Sequence, residues 1–594
     1  MAKYSVIELS VRDGQLREYD SLSINQKNAL QLSNTIYIYR ETRSGKVYIG
    51  QTGNFLNRHS QHFSGEERFN NVDFDKVLVV FSQYFNRSAL DDVESQLITY
   101  FAADNPRKKR AVSFTDSIVT NLTGGNTVNQ YKEREKVASE VILPLWENEL
   151  YTRNWVHSPT IEKLRARELV KYSPIKQLTP EQGSLINEIL SSNANYVING
   201  DAGTGKTVLL THIVAAFLKA GPQSRIGVVV QPNWERTGSQ IFKVYGMNSN
   251  NLTIATSTKI ISQGGRYDVI IVDEAHKLSR RYGRQHPSFN KVYDISDYSS
   301  CNSHLEILQK MGSRIILMYD VLQAIRPANL PREEFRNLTE GYEKVFLKTQ
   351  FRIQAQRGKN YTSEDYINGI KHLLYKGTGL LDSNLTNYNP DFSRDVFRDN
   401  SPDAYFGYVT DHPLKNLTEW IEQDRNFNSE HINRVLSGMF CCDTVDPWQI
   451  RHGRNIEIKH FHEGELHRRW NSQQENWINI DVEDAEDQIG SVFAVQGIDL
   501  NKVGVMIGPD IKVNNDGELE AVPENHFNNN NRFSDEEMKD PANRREFTLY
   551  ILNQYYVLLT RGIDGIRVGF WENDGFRQYM EKTLGIDDGN TTQS

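Results

Sequence analysis

At 594 residues the chain is too long for one core, and roughly three or four domains are expected, while 38% hydrophobic and 24% charged residues mark an ordinary soluble globular composition. Three cysteines (Cys301 and the adjacent Cys441 and Cys442) exclude a disulfide framework or a zinc-binding spacing and suit a reducing, cytoplasmic setting. The net charge of −8 does not advertise a polyanion partner, though a local groove can still be basic, and the lack of an apolar run near ~18 residues gives no reason to expect a membrane partner.

In chain order, residues 1–33 read as a polar lead-in. Thr35-Ile36-Tyr37-Ile38-Tyr39 and Val47-Tyr48-Ile49-Gly50 are β-prone runs around Ser44-Gly45, the pattern of a hairpin. Arg58 and His62 follow, four residues apart and so on one face of a helix. Ser88-Ala89-Leu90-Asp91 has the form of a capping box, and Leu90, Val93, Leu97 and Phe101 supply the apolar stripe of the helix it opens. Glu94 flanks that stripe, where a carboxylate must either reach solvent or hold a cation.

These residues resemble the GIY-YIG endonucleases over about 34–125. Thr35-Ile36-Tyr37 and Tyr48-Ile49-Gly50 match the two signature elements, with Thr35 standing where the family has glycine. Arg58, His62, Glu94, and Asn121 before Gly124-Gly125 follow in the family's order. The resemblance implies that Glu94 holds a divalent ion (Mg²⁺, with Mn²⁺ an alternative) and that Arg58 neutralises the scissile phosphate. It gives Tyr37, Tyr48 and His62 the activation and positioning of water. Phosphodiester hydrolysis needs those three elements on chemical grounds alone. The segment carries eleven basic against ten acidic residues, unlike the acidic whole, and Arg107-Lys108-Lys109-Arg110 is either a phosphate contact or a solvated loop.

Residues 126–175 read as a helical connector interrupted by Pro144, Pro159 and Pro174. Then a β-prone run, Asn195 to Asn199, enters Gly200-Asp201-Ala202-Gly203-Thr204-Gly205-Lys206-Thr207, and a helix, Val208 to Leu218, leaves it. Gly200, Gly203 and Gly205 free the backbone so that the N–H groups of the turn, Thr204 included, converge on phosphate oxygens at the helix's positive end. Lys206 reaches the β/γ-phosphates and Thr207 ligates Mg²⁺, so a bound nucleoside triphosphate, ATP, is expected. Further apolar strands are expected at Ile226–Val230, Val269–Val272 and Ile315–Met318, as in a parallel α/β sheet. The second ends in Asp273-Glu274 at the sheet edge where ligands bind. There Asp273 can hold Mg²⁺ through water and Glu274 can polarise the attacking water.

The remaining landmarks resemble, in order, the motif series of superfamily 1 helicases over about 176–575, and within them the branch related to the Schlafen helicase region. The resemblance makes Gln182 the adenine reader and Gln323, in Asp320-Val321-Leu322-Gln323, the γ-phosphate sensor. Arg352, in Gln350-Phe351-Arg352, becomes the second lobe's contact with nucleotide. Gln496, in Val495-Gln496-Gly497, couples nucleotide to nucleic acid, and Arg561, in Leu558-Leu559-Thr560-Arg561, is the finger. Trp234, Tyr245, Trp448, Trp470 and Trp477 are candidates for base stacking, with core packing the plainer reading of each.

The resulting expectation is a multidomain α/β chain: a lead-in (1–33), a GIY-YIG-like nuclease domain (34–125), a connector (126–175), a first RecA-like lobe (176–345), a second RecA-like lobe with polar insertions or loops at 353–430 and 511–546 (346–578) and an acidic tail (579–594). The expected function is a metal-dependent endonuclease coupled to an ATP-driven motor on nucleic acid, DNA before RNA, in a setting such as restriction of foreign DNA or repair. Two alternatives stay open: a non-catalytic nuclease-like clamp on a nucleic-acid-dependent ATPase, and a nucleotide switch that licenses cleavage without translocation.

Overall fold

The computed structural model describes residues 3–586 apart from 66–71, 105–130, 132, 166–169, 171–177, 245–249, 351–352, 354–358, 382–385, 429–430, 441–460, 471–476, 478–487, 496–499 and 528–531. Two compact units divide it. The first comprises Met1–Asn193, Thr207–Thr256 and Tyr267–Ile271, the second Ala194–Lys206, Ser257–Arg266 and Val272–Ser594.

The first unit opens with an antiparallel five-stranded sheet, β1 (Tyr4–Arg12), β2 (Gln15–Leu16), β3 (Thr35–Arg40), β4 (Val47–Thr52) and β5 (Lys76–Ser82), in the order β2-β1-β5-β3-β4. The β3–β4 hairpin is the one read from sequence, with Gly45 at φ 73° in its turn. The opening segment is not a lead-in. Residues 4–10 pair with 76–82 along β5, and α1 (Ile24–Leu32), capped by Ser23 and Gln26, buries Leu30. Its alternating Ile7, Leu9 and Val11 are outnumbered by polar neighbours, and the pairing partner lies some seventy residues away, beyond any local pattern.

Helix α2 (Phe55–Gly65) follows the hairpin, and α3 (Arg87–Ala103) buries Leu90, Val93, Leu97 and Phe101. The cap of α3 is Asn86, whose carboxamide accepts from the Ala89 N–H at 3.0 Å, so Ser88 lies inside the first turn rather than opening it. The connector packs onto this domain. Trp146 is fully buried, its ring 5.3 Å from Phe101, while Asp104 accepts from the His157 and Ser158 N–H groups. Its turns around Pro144, Ala138–Ile142 and Leu145–Tyr151, widen to i→i+5 geometry. Helix α4 (Pro180–Ser191) and the parallel pair β6 (Ile226–Val229) and β7 (Leu252–Ala255) also belong to this unit.

In the second unit, β8 (Tyr196–Gly200) is flanked by β9 (Ile315–Tyr319) and β10 (Glu343–Leu347), all parallel. A second parallel sheet has the order β11-β14-β13-β12, from β11 (Phe406–Val409), β12 (Arg434–Ser437), β13 (Leu500–Ile507) and β14 (Gly562–Phe570). Segment 353–430 is therefore no insertion: it supplies α5 (Ser363–Tyr375), edge strand β11 and α6 (Pro413–Phe427). Helix α5 buries Tyr366, Ile367, Ile370, Leu373 and Leu374 at helical spacing, a stripe diluted in sequence by the Asn- and Asp-rich flanks. Segment 511–546 contains a short hairpin, Ile511–Val513 with Leu519–Ala521, and the start of α7 (Pro541–Leu559). The expected tail begins late, since α8 (Asp574–Leu584) buries Met580 and Leu584.

Asp510, just past β13, is fully buried. Its Oδ1 accepts from Tyr555 Oη at 2.5 Å, and burial pushes its carboxyl up to about 7 against that hydrogen bond. The folded state keeps this proton to higher pH than an unfolded aspartate, so the group's contribution to stability falls as pH rises from its ordinary 3.8 towards 7. Asp510→Asn should remove that component. Between pH 5 and pH 8 the thermal midpoint of the second unit should fall by about 5 °C more in wild type than in the variant, as read by calorimetry.

Candidate active sites

The nuclease-like site is built on the hairpin. Tyr37 on β3 faces Gly50 on β4, and a Cβ at Gly50 would lie 2.4 Å from the Tyr37 Cζ and Oη. Only glycine lets the phenol cross the neighbouring strand, which gives the second signature glycine its physical reason. Tyr37 Oη meets His62 Nε2 at 2.9 Å, and Tyr48 stacks on Tyr37 with ring centroids 6.4 Å apart and meets His62 edge-on at 5.1 Å. Burial, then Tyr48, pushes the Tyr37 phenol up, with the Arg58 guanidinium drawing it back. Thr35, the departure from the signature, is buried and donates from Oγ1 to the Thr52 carbonyl at 3.4 Å, so the position is filled without disturbing Tyr37.

Glu94 comes in from α3. Its Oε2 accepts from Gln51 Nε2 at 3.0 Å, and the same nitrogen donates to Asp91 Oδ1 at 2.6 Å. Burial pushes the Glu94 carboxyl up to about 7; Gln51 opposes this, Asp91 adds to it and Arg58 pulls it back. Tyr37, Tyr48, Arg58, His62 and Glu94, grouped in the sequence by the family resemblance, are thus linked in the structure by hydrogen bonds, ring contacts and charge. Among the described residues no cluster of three or more His, Cys, Asp or Glu is disposed to hold a metal. A carboxylate whose own charge is disfavoured, with a second carboxylate on the same amide, fits a hard cation that keeps most of its waters.

Sequence reading missed Gln51, Asp91 and a second pair beside the first: Tyr39 Oη bonds His59 Nδ1 at 2.6 Å, and His59 Nε2 donates to the Gly14 carbonyl at 3.1 Å. Burial holds His59 down at about 4 and hence neutral. The signal was present in the spacing, since Tyr37/Tyr39 share a strand face and His59/His62 share a helix face. Asn121, Gly124, Gly125 and the 107–110 basic run lie outside the described residues.

The second site forms where β8 gives way to the helix Lys206–Ala220. Gly203 and Gly205 take φ of 89° and 80°, and a Cβ at Gly200 would lie 2.4 Å from Thr204 Oγ1. Thr204 Oγ1 donates to the Asp201 carbonyl at 2.9 Å. Lys206 Nζ folds back on the loop, donating to the carbonyls of Gly200 (2.5 Å) and Asp201 (3.0 Å), and lies 3.7 Å from Asp320 Oδ2. Thr207 is the second residue of its helix.

Asp273 and Glu274 follow the strand Val269–Val272, as expected. Burial and the Glu274 charge push Asp273 up, while Lys277 and Lys206 pull it back. Burial works against Glu274 as well, but Lys277 and His276 hold it well below the usual range; its Oε2 lies 2.8 Å from His276 Nε2. Glu274 sits at φ 52°, a left-handed conformation unusual for glutamate and a mark of local strain. An aspartate that resists its own charge suits a nearby divalent ion, the partner expected for Asp273.

Asp320 Oδ2 accepts from Gln323 Nε2 at 2.6 Å, and Gln323 Oε1 lies 3.5 Å from Arg561 Nη2. Lys206, Asp320, Gln323 and Arg561 therefore form one buried polar chain, in which Asp320 is the link that sequence reading did not single out. Gln350 donates to the Ala202 carbonyl at 2.6 Å. Gln182 is buried in the first unit, where it closes the capping box of α4 with Thr179. Arg352 and Gln496 lie outside the described residues, as do Tyr245 and Trp448, whereas Trp234, Trp470 and Trp477 are buried.

An antiparallel sheet bearing this Tyr–His–Arg–Glu group, followed by parallel sheets with a glycine-rich phosphate loop, defines a two-part enzyme of nuclease and nucleotide-hydrolase type. Residues 193–572 match the family described as Schlafen group 3, DNA/RNA helicase domain, and residues 33–108 match the GIY-YIG catalytic domain. The chain belongs to this Schlafen group 3 helicase family and carries a GIY-YIG domain; it is an endonuclease and a helicase-family ATPase acting on nucleic acid. An uncharacterized protein of Saccharomyces cerevisiae is 24% identical over 405 residues, spanning 63% of this chain and 81% of its own. The Pif1 helicase of Candida albicans (12% identical, TM-score 0.27, 66% of this chain and 95% of its own) and Pif1 from a Bacteroides species in complex with ADP-AlF4 (13%, 0.26, 69% and 96%) are similar solved structures. Among the described residues no helix is long and apolar enough to cross a membrane.

Gly50→Ala should push Tyr37 off His62. Cleavage in a metal-supplemented nuclease assay should fall at least about tenfold while phosphate release from ATP stays at the wild-type rate, the cost being local overpacking.

Proposed function

We propose that the chain is a metal-dependent DNA endonuclease whose cleavage is coupled to ATP hydrolysis by its helicase-like region, in a role such as restriction of foreign DNA. The observation that carries the nuclease half is the contact of Tyr37 with His62 beside Arg58 and Glu94. Tyr37 keeps its proton at neutral pH, and its hydrogen bond to His62 Nε2 gives that proton a destination. The pair takes the proton of the attacking water, with Tyr48 fixing both rings. Arg58 meets the charge that grows on the scissile phosphate. Glu94 holds the divalent ion, Mg²⁺ or Mn²⁺, which when bound supplies a Lewis acid to the phosphoryl oxygen. Gln51 and Asp91 orient Glu94.

In the motor, Lys206 exchanges the Gly200 and Asp201 carbonyls for nucleotide phosphates. Glu274, held anionic by Lys277 and His276, orients the water, and Thr207 and Asp273 hold Mg²⁺. Gln323 and Arg561 are already joined beside Asp320, which suits sensing and stabilising charge at the γ-phosphate. Arg352 and Gln496 keep the second-lobe and coupling roles implied by their motifs, and Gln182 the adenine role.

The test is plasmid nicking with Mg²⁺ or Mn²⁺, with and without ATP, in wild type, Glu94→Ala and Lys206→Ala. Loss of at least about a hundredfold in Glu94→Ala, and an ATP effect present only with Lys206 intact, is the expected result. Cleavage indifferent to ATP would remove the coupling. Nicking unaffected by Glu94→Ala would leave the nuclease-like domain as a clamp, and cleavage confined to RNA would change the polymer.

A further inference from the structure

The phosphate loop carries an acid in an awkward place. Asp201 is the second residue of the turn, directly after Gly200, and a carboxylate there faces a ligand with several negative charges of its own. It is met by two side chains from distant parts of the sequence. Lys371 Nζ, on α5, donates to Asp201 Oδ2 at 2.8 Å, and Tyr556 Oη, on α7, donates to Asp201 Oδ1 at 3.3 Å. The Lys371 side chain is fully buried and that of Asp201 16% exposed. Lys371 also donates to the Asn387 carbonyl. A buried ammonium with this little solvent requires an anion, and Asp201 is the carboxylate it contacts.

The same helices hold the surrounding machinery. Tyr375, on α5, donates to Asn553 Oδ1 at 2.6 Å, and Asn553 Nδ2 donates to the carbonyls of Val321 and Ala324, which bracket Gln323. Arg561 follows Tyr556 by five residues at the end of α7.

We infer that Lys371 is a positioning residue for nucleotide: it neutralises Asp201 within the phosphate loop and ties that loop to α5, while Tyr556 ties it to α7, the helix that leads into Arg561. This rests on the loop binding nucleoside triphosphate. The charge relation has a signature that packing lacks, because the two single substitutions act in opposite directions. Lys371→Met leaves an unpaired carboxylate in the cradle and repels the nucleotide. Asp201→Asn leaves the ammonium free to attract it.

The experiment is titration of the full chain with a fluorescent ATP analogue in Mg²⁺, together with KM and kcat for ATP hydrolysis, in wild type, Lys371→Met, Asp201→Asn, the double variant and Lys206→Ala. Lys371→Met should weaken binding roughly tenfold and raise KM in step, while Asp201→Asn should bind as tightly as wild type or more so. The double variant should return to within about threefold of wild-type affinity, with kcat still reduced because the Lys371 tie from the loop to α5 is gone. Weakened binding in both single variants, with additive loss in the double, would reduce the pair to packing and overturn the inference. So would unchanged binding in Lys371→Met. If Lys371→Met does not fold, the direction of the Asp201→Asn change decides alone, weaker binding refuting the inference. Wild type that binds no analogue, or binds it equally after Lys206→Ala, would refute the nucleotide reading itself, an outcome distinct from the others.

Discussion

Buried charge must be met by charge or by directed hydrogen bonds, and the second unit is arranged around that constraint. Lys206, Asp320 and Arg561 are each under 10% exposed, and each finds its partner at the end of a different element. Lys206 opens the helix that follows β8 and its loop, Asp320 follows the last residue of β9, and Arg561 lies just past α7. A break at any link would strand the others without solvent, at a cost of several kcal/mol. Parallel strands deliver such side chains to one edge as a matter of topology, since every strand of the sheet ends on the same side. The fold sets the edge, and the pairing of charges sets the spacing along it.

The nuclease-like domain solves a different problem by different means. Its site is mostly neutral and aromatic: two Tyr–His hydrogen bonds, stacked rings and a glycine that removes a side chain from their path. Burial pushes the Glu94 carboxyl up, and Glu94 is the group that needs an outside cation to be comfortable as an anion. In the nucleotide site the loop lysine already has carbonyl and carboxylate partners inside the protein, so nucleotide must compete for it. One site waits for charge to be added; the other exchanges charge it already holds.

What could be read from sequence was local. The Gly200–Thr207 turn, the Asp273-Glu274 strand end and the hairpin around Gly45 are each written in a dozen residues, so composition and period suffice. Residues were misjudged where the deciding partner was remote or the signal was diluted. Strand β1 is fixed by β5, the α3 cap lay at Asn86 because its side chain reaches one turn ahead, and α5 hid its apolar stripe among polar flanks. Asp91 was visible but unremarkable until Gln51 joined it to Glu94. Lys371 offered nothing in sequence, because its meaning is a carboxylate 170 residues away.

Remote pairing also bears on how nucleotide state could reach the rest of the molecule. Nucleotide that draws Lys206 away from the Gly200 and Asp201 carbonyls leaves Asp320 with less neutralising charge, and Asp320 is bonded to Gln323, which meets Arg561. Arg561 lies just past the end of α7, and α7 also holds Tyr556 against Asp201. The phosphate loop is thus joined to one helix by two routes, one through the charge of Lys206 and one through the carboxylate of Asp201. A change at the phosphates alters the first route while the second keeps the helix end tethered.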